Sequence, residues 1–414
     1  MAPSHGPARR RPLLSLRPRR VGETLRTLLS RSGIRRWRQG ELGILPVILG
    51  LVVIAAYFQS QQPAFLSARN LSNLIVQIAA TGSVAVGIVL VLLLGEIDLS
   101  VGSVSGLCSA LLGILIVNRG LPWWSAILAT LLTGALIGAL QGAWFALVGV
   151  PSFVVTLAGF LAWQGVQLSV LGPTGTVNVF DPSIGKIAQS FLPGPWGWVV
   201  GLGAAGVSVM VFWAARVGRR RAGLAASAGA AVVARSILVL AIGIATIEIL
   251  NSFRGVPTAG LILFGLVAFF SFVTTRTRFG RYIFAIGGNA EAARRAGINV
   301  SGIRIAVFTL AGVMAAAGGV IFVSRLTAAS TQTGGGTFLL EAIAAAVIGG
   351  TSLFGGRGSP WSALLGSLVI GSVSNGLDLM AQPPEIKYIV EGAILLAAVS
   401  VDAVARRSRT AAGR

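Results

Sequence analysis

Between Leu71 and Val117 only two of 47 residues carry charge, Glu96 and Asp98, and apolar runs of this kind recur along most of the chain. A helix needs about 20 apolar residues to cross a hydrocarbon core roughly 30 Å thick. The runs are continuous rather than alternating, which favours helices over the strands of a barrel. Charged residues make up 11% of the 414, and the mean hydropathy is +0.83; a soluble domain carries about 25% charged residues. The expected fold is all-α, a polytopic transmembrane helical bundle. Twelve spans are expected, near 43–58, 71–94, 99–117, 121–148, 152–171, 196–215, 236–251, 258–275, 305–324, 339–354, 361–380 and 386–403.

Charge gives the orientation. The net charge of +21 lies between and outside the apolar runs, with eleven arginines in residues 1–42. With the N-terminus inside and sides alternating, 27 of the 33 basic residues fall on the cytoplasmic side, as the positive-inside rule requires. Both termini are therefore expected in the cytoplasm. The organisation expected is a basic tail (1–42), a membrane domain (43–405) and a short basic tail (406–414). The first apolar run follows some forty polar residues and lacks a clear cleavage site, so it reads as a retained helix. Two connections are long: residues 172–195, turn-rich and outside, and residues 276–304, basic, partly helical and inside.

The residue inventory narrows the chemistry. One histidine, His5 in the tail, and one cysteine, Cys108 in an apolar run, leave no means of building the usual catalytic triads or a zinc cluster. The two lysines sit in Gly185-Lys186-Ile187 and Ile386-Lys387-Tyr388, neither of which is a P-loop. The chain is expected to bind no metal or cofactor of its own, and a transport cycle driven by ATP would need another chain to hydrolyse it.

Two segments carry the sequence's polar interest. In Gly95-Glu96-Ile97-Asp98-Leu99-Ser100-Val101-Gly102-Ser103 the acids mark either a cytoplasmic turn or a helix break within the bundle, and Asp98 is also placed to cap the next helix. In Gly287 to Asn299, Asn289 can cap a short helix over Ala290 to Ala296, with Glu291 near its positive end and Gly297 as its stop. Its alanine face suits a groove on a partner protein; the same helix could equally lie along the membrane surface, its arginines near anionic lipid. Glycines at four-residue spacing, as in Gly134, Gly138 and Gly142, suit close helix packing.

Several ordered segments resemble the membrane-domain family of ABC importers for ribose, galactose and xylose. They are Phe65-Leu66-Ser67-Ala68-Arg69-Asn70-Leu71, Glu96 to Ser103, Val150-Pro151-Ser152-Phe153, Arg254-Gly255-Val256-Pro257-Thr258, Ala285 to Arg294, and Val347-Ile348-Gly349-Gly350-Thr351-Ser352-Leu353. The resemblance covers about 62–405 and implies a non-catalytic permease in the bacterial inner membrane. It also implies a second copy of the permease, a cytoplasmic ATP-binding subunit that holds ATP and Mg, and a periplasmic or lipid-anchored sugar-binding protein. Nucleic acid is not among the expected partners. The resemblance makes Gly288, Asn289, Glu291, Ala292, Ala293, Arg294 and Gly297 similar to the loop that couples permease to ATPase. The helices around 196–251 look like an addition to a ten-span core. Candidates to line the path are Glu96, Asp98, Ser100, Gln164, Gln167, Asn178 and Asn375, polar groups on apolar spans; helix–helix hydrogen bonding is the competing role for each. Within the family the resemblance is strongest to the xylose type, which makes D-xylose the expected solute; ribose, galactose, a nucleoside or an autoinducer fit the same frame. A proton-coupled sugar transporter is a different reading, and would have Glu96, Asp98 or Glu248 titrate during transport.

Overall fold

The computed structural model describes residues 45–224 and 229–411. The basic tail 1–42 lies outside the described residues, and of the 406–414 tail only helical backbone as far as Ala411 is described. The chain opens with α1 (Leu45–Gln61), α2 (Ala68–Leu93), α3 (Val101–Gly113) and α4 (Trp123–Ala143). Both α3 and α4 run on through a wider π turn, Ile114–Asn118 and Trp144–Val148 respectively. Then come α5 (Ser152–Leu171), β1 (Thr176–Asn178), α6 (Pro182–Gln189), β2 (Phe191–Leu192), α7 (Gly194–Arg221), α8 (Gly229–Asn251), β3 (Val256–Pro257) and α9 (Thr258–Arg276). The rest comprises α10 (Arg278–Gly288), α11 (Ala290–Arg295), α12 (Val300–Leu326), β4 (Ala328–Ser330), α13 (Gly336–Ile348), α14 (Trp361–Leu379) and α15 (Pro384–Ala411).

Each of the twelve expected runs contains a helix, and prolines place many of the starts. Pro122, Pro151, Pro193, Pro257 and Pro360 stand immediately before α4, α5, α7, α9 and α14. A residue at that point needs no N–H for the helix ladder, so proline breaks the preceding structure without weakening the next. Nine helices among the described residues are long and apolar enough to cross a membrane: α2, α3 and α4 with their continuations, α5, α7, α8, α9, α12 and α14. The chain is a polytopic helical membrane protein. Three of the twelve expected runs hold helices outside that set: α1 and α13 are short, at 17 and 13 residues, and α15 is not among the nine. α13 rises about 20 Å and ends where Gly350, Gly355, Gly356 and Gly358 turn the chain at positive φ.

Small residues set the packing. α2 is the most enclosed span, 83% of its apolar window buried, whereas α7 is 6% buried. α4 and α12 cross with backbone almost touching backbone. A methyl added at Gly134 would overlap the Gly312 carbonyl, and one at Gly138 that of Phe308. The evenly spaced glycines of α4 do what their spacing predicts. α7 and α8 pack mainly on each other at the periphery, Gly201 receiving Ile247.

The two long connections are more ordered than turn-rich composition suggests. Within 172–195, Asp181 caps α6 by accepting from the Ser183 and Ile184 N–H groups at 2.7 and 3.1 Å. β1 pairs antiparallel with β4, Val177 opposite Ala329, and β2 pairs antiparallel with β3.

Candidate functional site

The 276–304 connection folds into two helices before α12. Thr277 caps α10 and Asn289 caps α11, the Asn289 Oδ1 accepting from the Ala292 N–H at 2.9 Å. Gly297, at φ +81°, ends α11: its N–H reaches the Arg294 carbonyl and the Ile298 N–H reaches that of Ala293, the paired bonds of a Schellman stop. Cap, helix and stop therefore fall where the sequence puts them. Ala293 is buried, while Gly288, Asn289, Glu291, Ala292, Arg294 and Gly297 are exposed. Glu291 pairs with Arg294 at 3.3 Å and Arg295 at 3.1 Å, all more than half exposed, so these pairs add little to stability. Their effect is to fold the charges along the helix and leave its short alanine side open.

This loop is anchored by glycines to the end of α2. The Gly356 N–H donates to the Leu93 carbonyl at 3.0 Å. A methyl at Gly287 would overlap that same carbonyl and crowd Gly356, and Gly355 lies against both Gly95 and the Gly287 carbonyl. Gly95 itself sits at φ +79°, open to glycine at no steric cost. Three segments, 93–95, 287–288 and 354–356, thus meet at backbone distance.

From Gly95 the chain leaves helical geometry and returns to it at Val101. Glu96 accepts from an Arg304 guanidinium N–H (Nη2 to Oε1) at 2.8 Å and from the Ser152 hydroxyl at 2.8 Å. The pair is mostly enclosed, 21% exposed at Arg304 and 15% at Glu96, and the guanidinium lies 4.7 Å from the centre of the Phe145 ring. The Ile97 carbonyl lies 3.4 Å from the Thr156 hydroxyl, whose shorter bond is to the Ser152 carbonyl at 3.0 Å, so the first turns of α5 enclose backbone that no helix serves. That is the condition for irregular backbone within a membrane domain.

Asp98 is 5% exposed and accepts from both the backbone N–H (2.8 Å) and the hydroxyl (2.7 Å) of Ser100. Burial pushes its carboxyl above the usual carboxylate range, and the Ser100 bonds oppose that shift. The Ser100 Oγ also lies 2.7 Å from the Gln141 side-chain amide. One hydroxyl proton cannot serve two acceptors. With the amide turned so that its N–H faces Ser100, Gln141 donates to Ser100 and Ser100 to Asp98; turned the other way, Nε2 is buried without a partner. Gly159 leaves the amide its room, since a methyl there would overlap it.

The remaining path candidates do not join this cluster. Gln167 is buried and donates to the Ser330 and Thr333 carbonyls at 2.9 and 3.0 Å, holding the 330–334 segment against Gly102 and Gly106 of α3. Asn375 and Asn70 exchange two amide hydrogen bonds, 2.7 and 3.2 Å, across α14 and α2. Asn178 is exposed in β1, and Gln164 is half-buried one turn before Gln167. Gln141, Ser152, Thr156 and Arg304 join the cluster without having been among the candidates. Gln141 had a legible signal, a lone amide in an apolar, glycine-rich run; Arg304, one arginine of a basic loop, had none.

The matched family model covers residues 70–399 and is described as a branched-chain amino acid transport system / permease component. The chain is 44% identical over 369 residues to the xylose transport system permease protein XylH of Escherichia coli K12, spanning 88% of this chain and 93% of that one. It is 32% identical to the ribose import permease protein RbsC of the same strain, spanning 90% and 97%, and 30% identical to the fructose import permease protein FrcC of Rhizobium meliloti, spanning 86% and 84%. No solved structure matches it. A capped, exposed loop helix anchored to the end of α2 is the local architecture in question, and the chain that carries it belongs to the branched-chain amino acid transport system / permease component family.

Proposed function

We propose that this chain is the permease of an ATP-driven importer that carries D-xylose into the bacterial cytoplasm across the inner membrane. The sugar is favoured by identity, 44% to the xylose permease against 32% and 30% to the ribose and fructose ones. The observation that carries the coupling role is the exposed α11 and its glycine anchorage to α2. In this reading 276–304 faces the cytoplasm, both termini are inside, and a separate ATP-binding subunit, holding ATP and Mg, docks on Gly288 to Gly297. A sugar-binding protein delivers solute from outside, and a second copy of the chain completes the path. The chain itself catalyses no reaction.

Movement of α11 has two rigid routes into the membrane. One runs through Gly287 to the end of α2, the other through α12 and Arg304 to Glu96. Both meet at the break from Gly95 to Ser100, where backbone with no helical ladder can change direction at lower cost than a helix. A pull on α11 would therefore be felt first at Asp98, Ser100 and Gln141. Glu96 and Asp98, each already partnered, serve better as transmission parts than as proton carriers.

The test is uptake of labelled D-xylose into proteoliposomes holding the permease and its ATPase, with binding protein outside, ATP inside and no ion gradient. Uptake that needs ATP and binding protein, and stops when 291–297 is scrambled in folded protein, supports the proposal. Uptake by the permease alone under a proton gradient, indifferent to ATP, would overturn it. ATPase stimulation without xylose uptake would keep the transporter class and discard the sugar.

A further inference from the structure

A second polar system lies at the other end of α12, away from Arg304. Arg325 stands in the last turn of α12, Asp378 near the end of α14, Lys387 and Glu391 in the opening turns of α15, and Glu341 in α13. All four others are near enough to act on the Glu341 charge. Asp378 and Lys387 form an ion pair. Glu341 and Glu391 make neither a hydrogen bond nor an ion pair among the described residues, and both line a cavity of about 260 Å³ with Thr337, Leu340 and Tyr388.

Intramembrane carboxylates are too costly to face lipid and as a rule face protein or a water-filled cavity; these two have no hydrogen-bonded or ion-paired protein partner among the described residues, which leaves the water-filled cavity. Its volume lies just below the roughly 300–1,000 Å³ of small-molecule sites, which limits an occupant to a small solute. A carboxyl oxygen that carries no proton only accepts hydrogen bonds, so the occupant must bring donors. Two facing carboxylates repel an anion. Arg325 and Lys387 disfavour a free cation, and among the described residues no three acidic, histidine or cysteine side chains are placed to hold a metal. A neutral polyol meets each condition: adjacent hydroxyls donate to the carboxylates, while the Tyr388 ring offers an apolar face to the C–H side of a sugar.

We infer that this cavity is a station for a neutral polyhydroxylated solute on the translocation path, with Glu341 and Glu391 accepting its hydroxyl hydrogen bonds. The inference rests on the sugar-import reading above, and it moves the solute-contacting residues away from Glu96, Asp98 and Ser100.

A thiol in the cavity reports its occupancy, because Cys108, the one cysteine, is fully buried. Thr337→Cys permease is reconstituted with ATPase and binding protein, and its labelling by a charged thiosulfonate reagent is timed with D-xylose, with glycine betaine at equal osmolarity, and with neither. D-xylose should slow labelling about fourfold when the site is three-quarters filled, and betaine should not. Protection should vanish in Glu341→Met and survive in part in Glu341→Gln, which keeps an acceptor. If Thr337→Cys fails to fold, Leu395→Cys on the facing helix gives the same readout. Labelling unaffected by D-xylose, in protein that still imports it, overturns the inference and leaves the import reading standing. Failure of the import reading shows separately, as wild-type vesicles that take up no D-xylose; protection by D-xylose there would still support the site, and its absence would overturn it.

Discussion

Replacing Arg304 with methionine isolates the worth of the Glu96 ion pair. The substitution keeps an apolar stem over Phe145 and removes the charge 2.8 Å from the Glu96 Oε1. Glu96 is left with the Ser152 hydroxyl and 15% side-chain exposure. Breaking a fully buried pair costs about 3–5 kcal/mol because a charge is stranded, and an exposed pair is worth about 0–1 kcal/mol. At this exposure the expected loss is about 2 kcal/mol. Glu96→Gln/Arg304→Met removes the stranded charge as well, so it should recover half or more of the loss even though it changes two residues. The measurement is the midpoint of thermal loss of monodisperse protein in detergent, where about 2 kcal/mol corresponds to a shift of a few degrees for a chain this size. The expected order is wild type, double variant, single variant, and it should persist at high salt, since a pair this enclosed is weakly screened. A double variant as unstable as the sum of the two singles would refute the reasoning, because the groups would then not interact.

Other substitutions separate neighbouring residues that the sequence leaves alike. Gly287→Ala should cost about 1–3 kcal/mol and reduce xylose uptake, since its methyl overlaps Leu93, whereas Gly288→Ala meets nothing within 4 Å and should leave folded yield unchanged. Gln167→Leu should cost about 1–3 kcal/mol by leaving the Thr333 carbonyl buried without its donor, while the Ser330 carbonyl keeps the Thr333 N–H; Gln164→Leu, one turn earlier, should cost much less in the same melting assay. Asp98 holds its proton more tightly folded than unfolded, so its contribution is fullest below the ordinary carboxylate range and is lost as pH rises through the raised value. Asp98→Asn should therefore gain midpoint relative to wild type as pH rises from about 4 to 8, and a difference that is constant with pH would refute the assignment.

The sequence carries the spans and the loop helix because local rules decide them. Apolar length finds the spans, prolines mark where many begin, and Asn289 with Gly297 bounds α11 through bonds to residues at most five positions away. Glu341 and Glu391 are legible as charges in apolar helices, yet fifty residues separate them and no period links them. The same holds for Glu96 with Arg304 and for Asn70 with Asn375, pairs joined only when α12 and α14 pack against the rest. Asn375 and Gln167 read as path residues because a lone amide in an apolar run has two uses. Only the fold places a partner amide or an irregular carbonyl within reach of it.

The two polar systems differ in how far the protein itself satisfies them, and that difference supports the roles proposed for them. At the Glu96–Ser100 break each carboxyl is engaged, by Arg304 and Ser152 or by Ser100, and the amide of Gln141 completes the chain. A solute entering there would have to displace bonds already made and would leave buried groups unpaired, at about 1–3 kcal/mol each. At the Glu341–Glu391 cavity no such bonds exist to be displaced, so a hydroxyl arriving from water exchanges one partner for another at little cost. A transporter must hold its cargo weakly enough to release it, and exchange without loss meets that need. Stiff, saturated polar groups suit the end that receives the pull of a partner; open acceptors suit the end that meets the sugar.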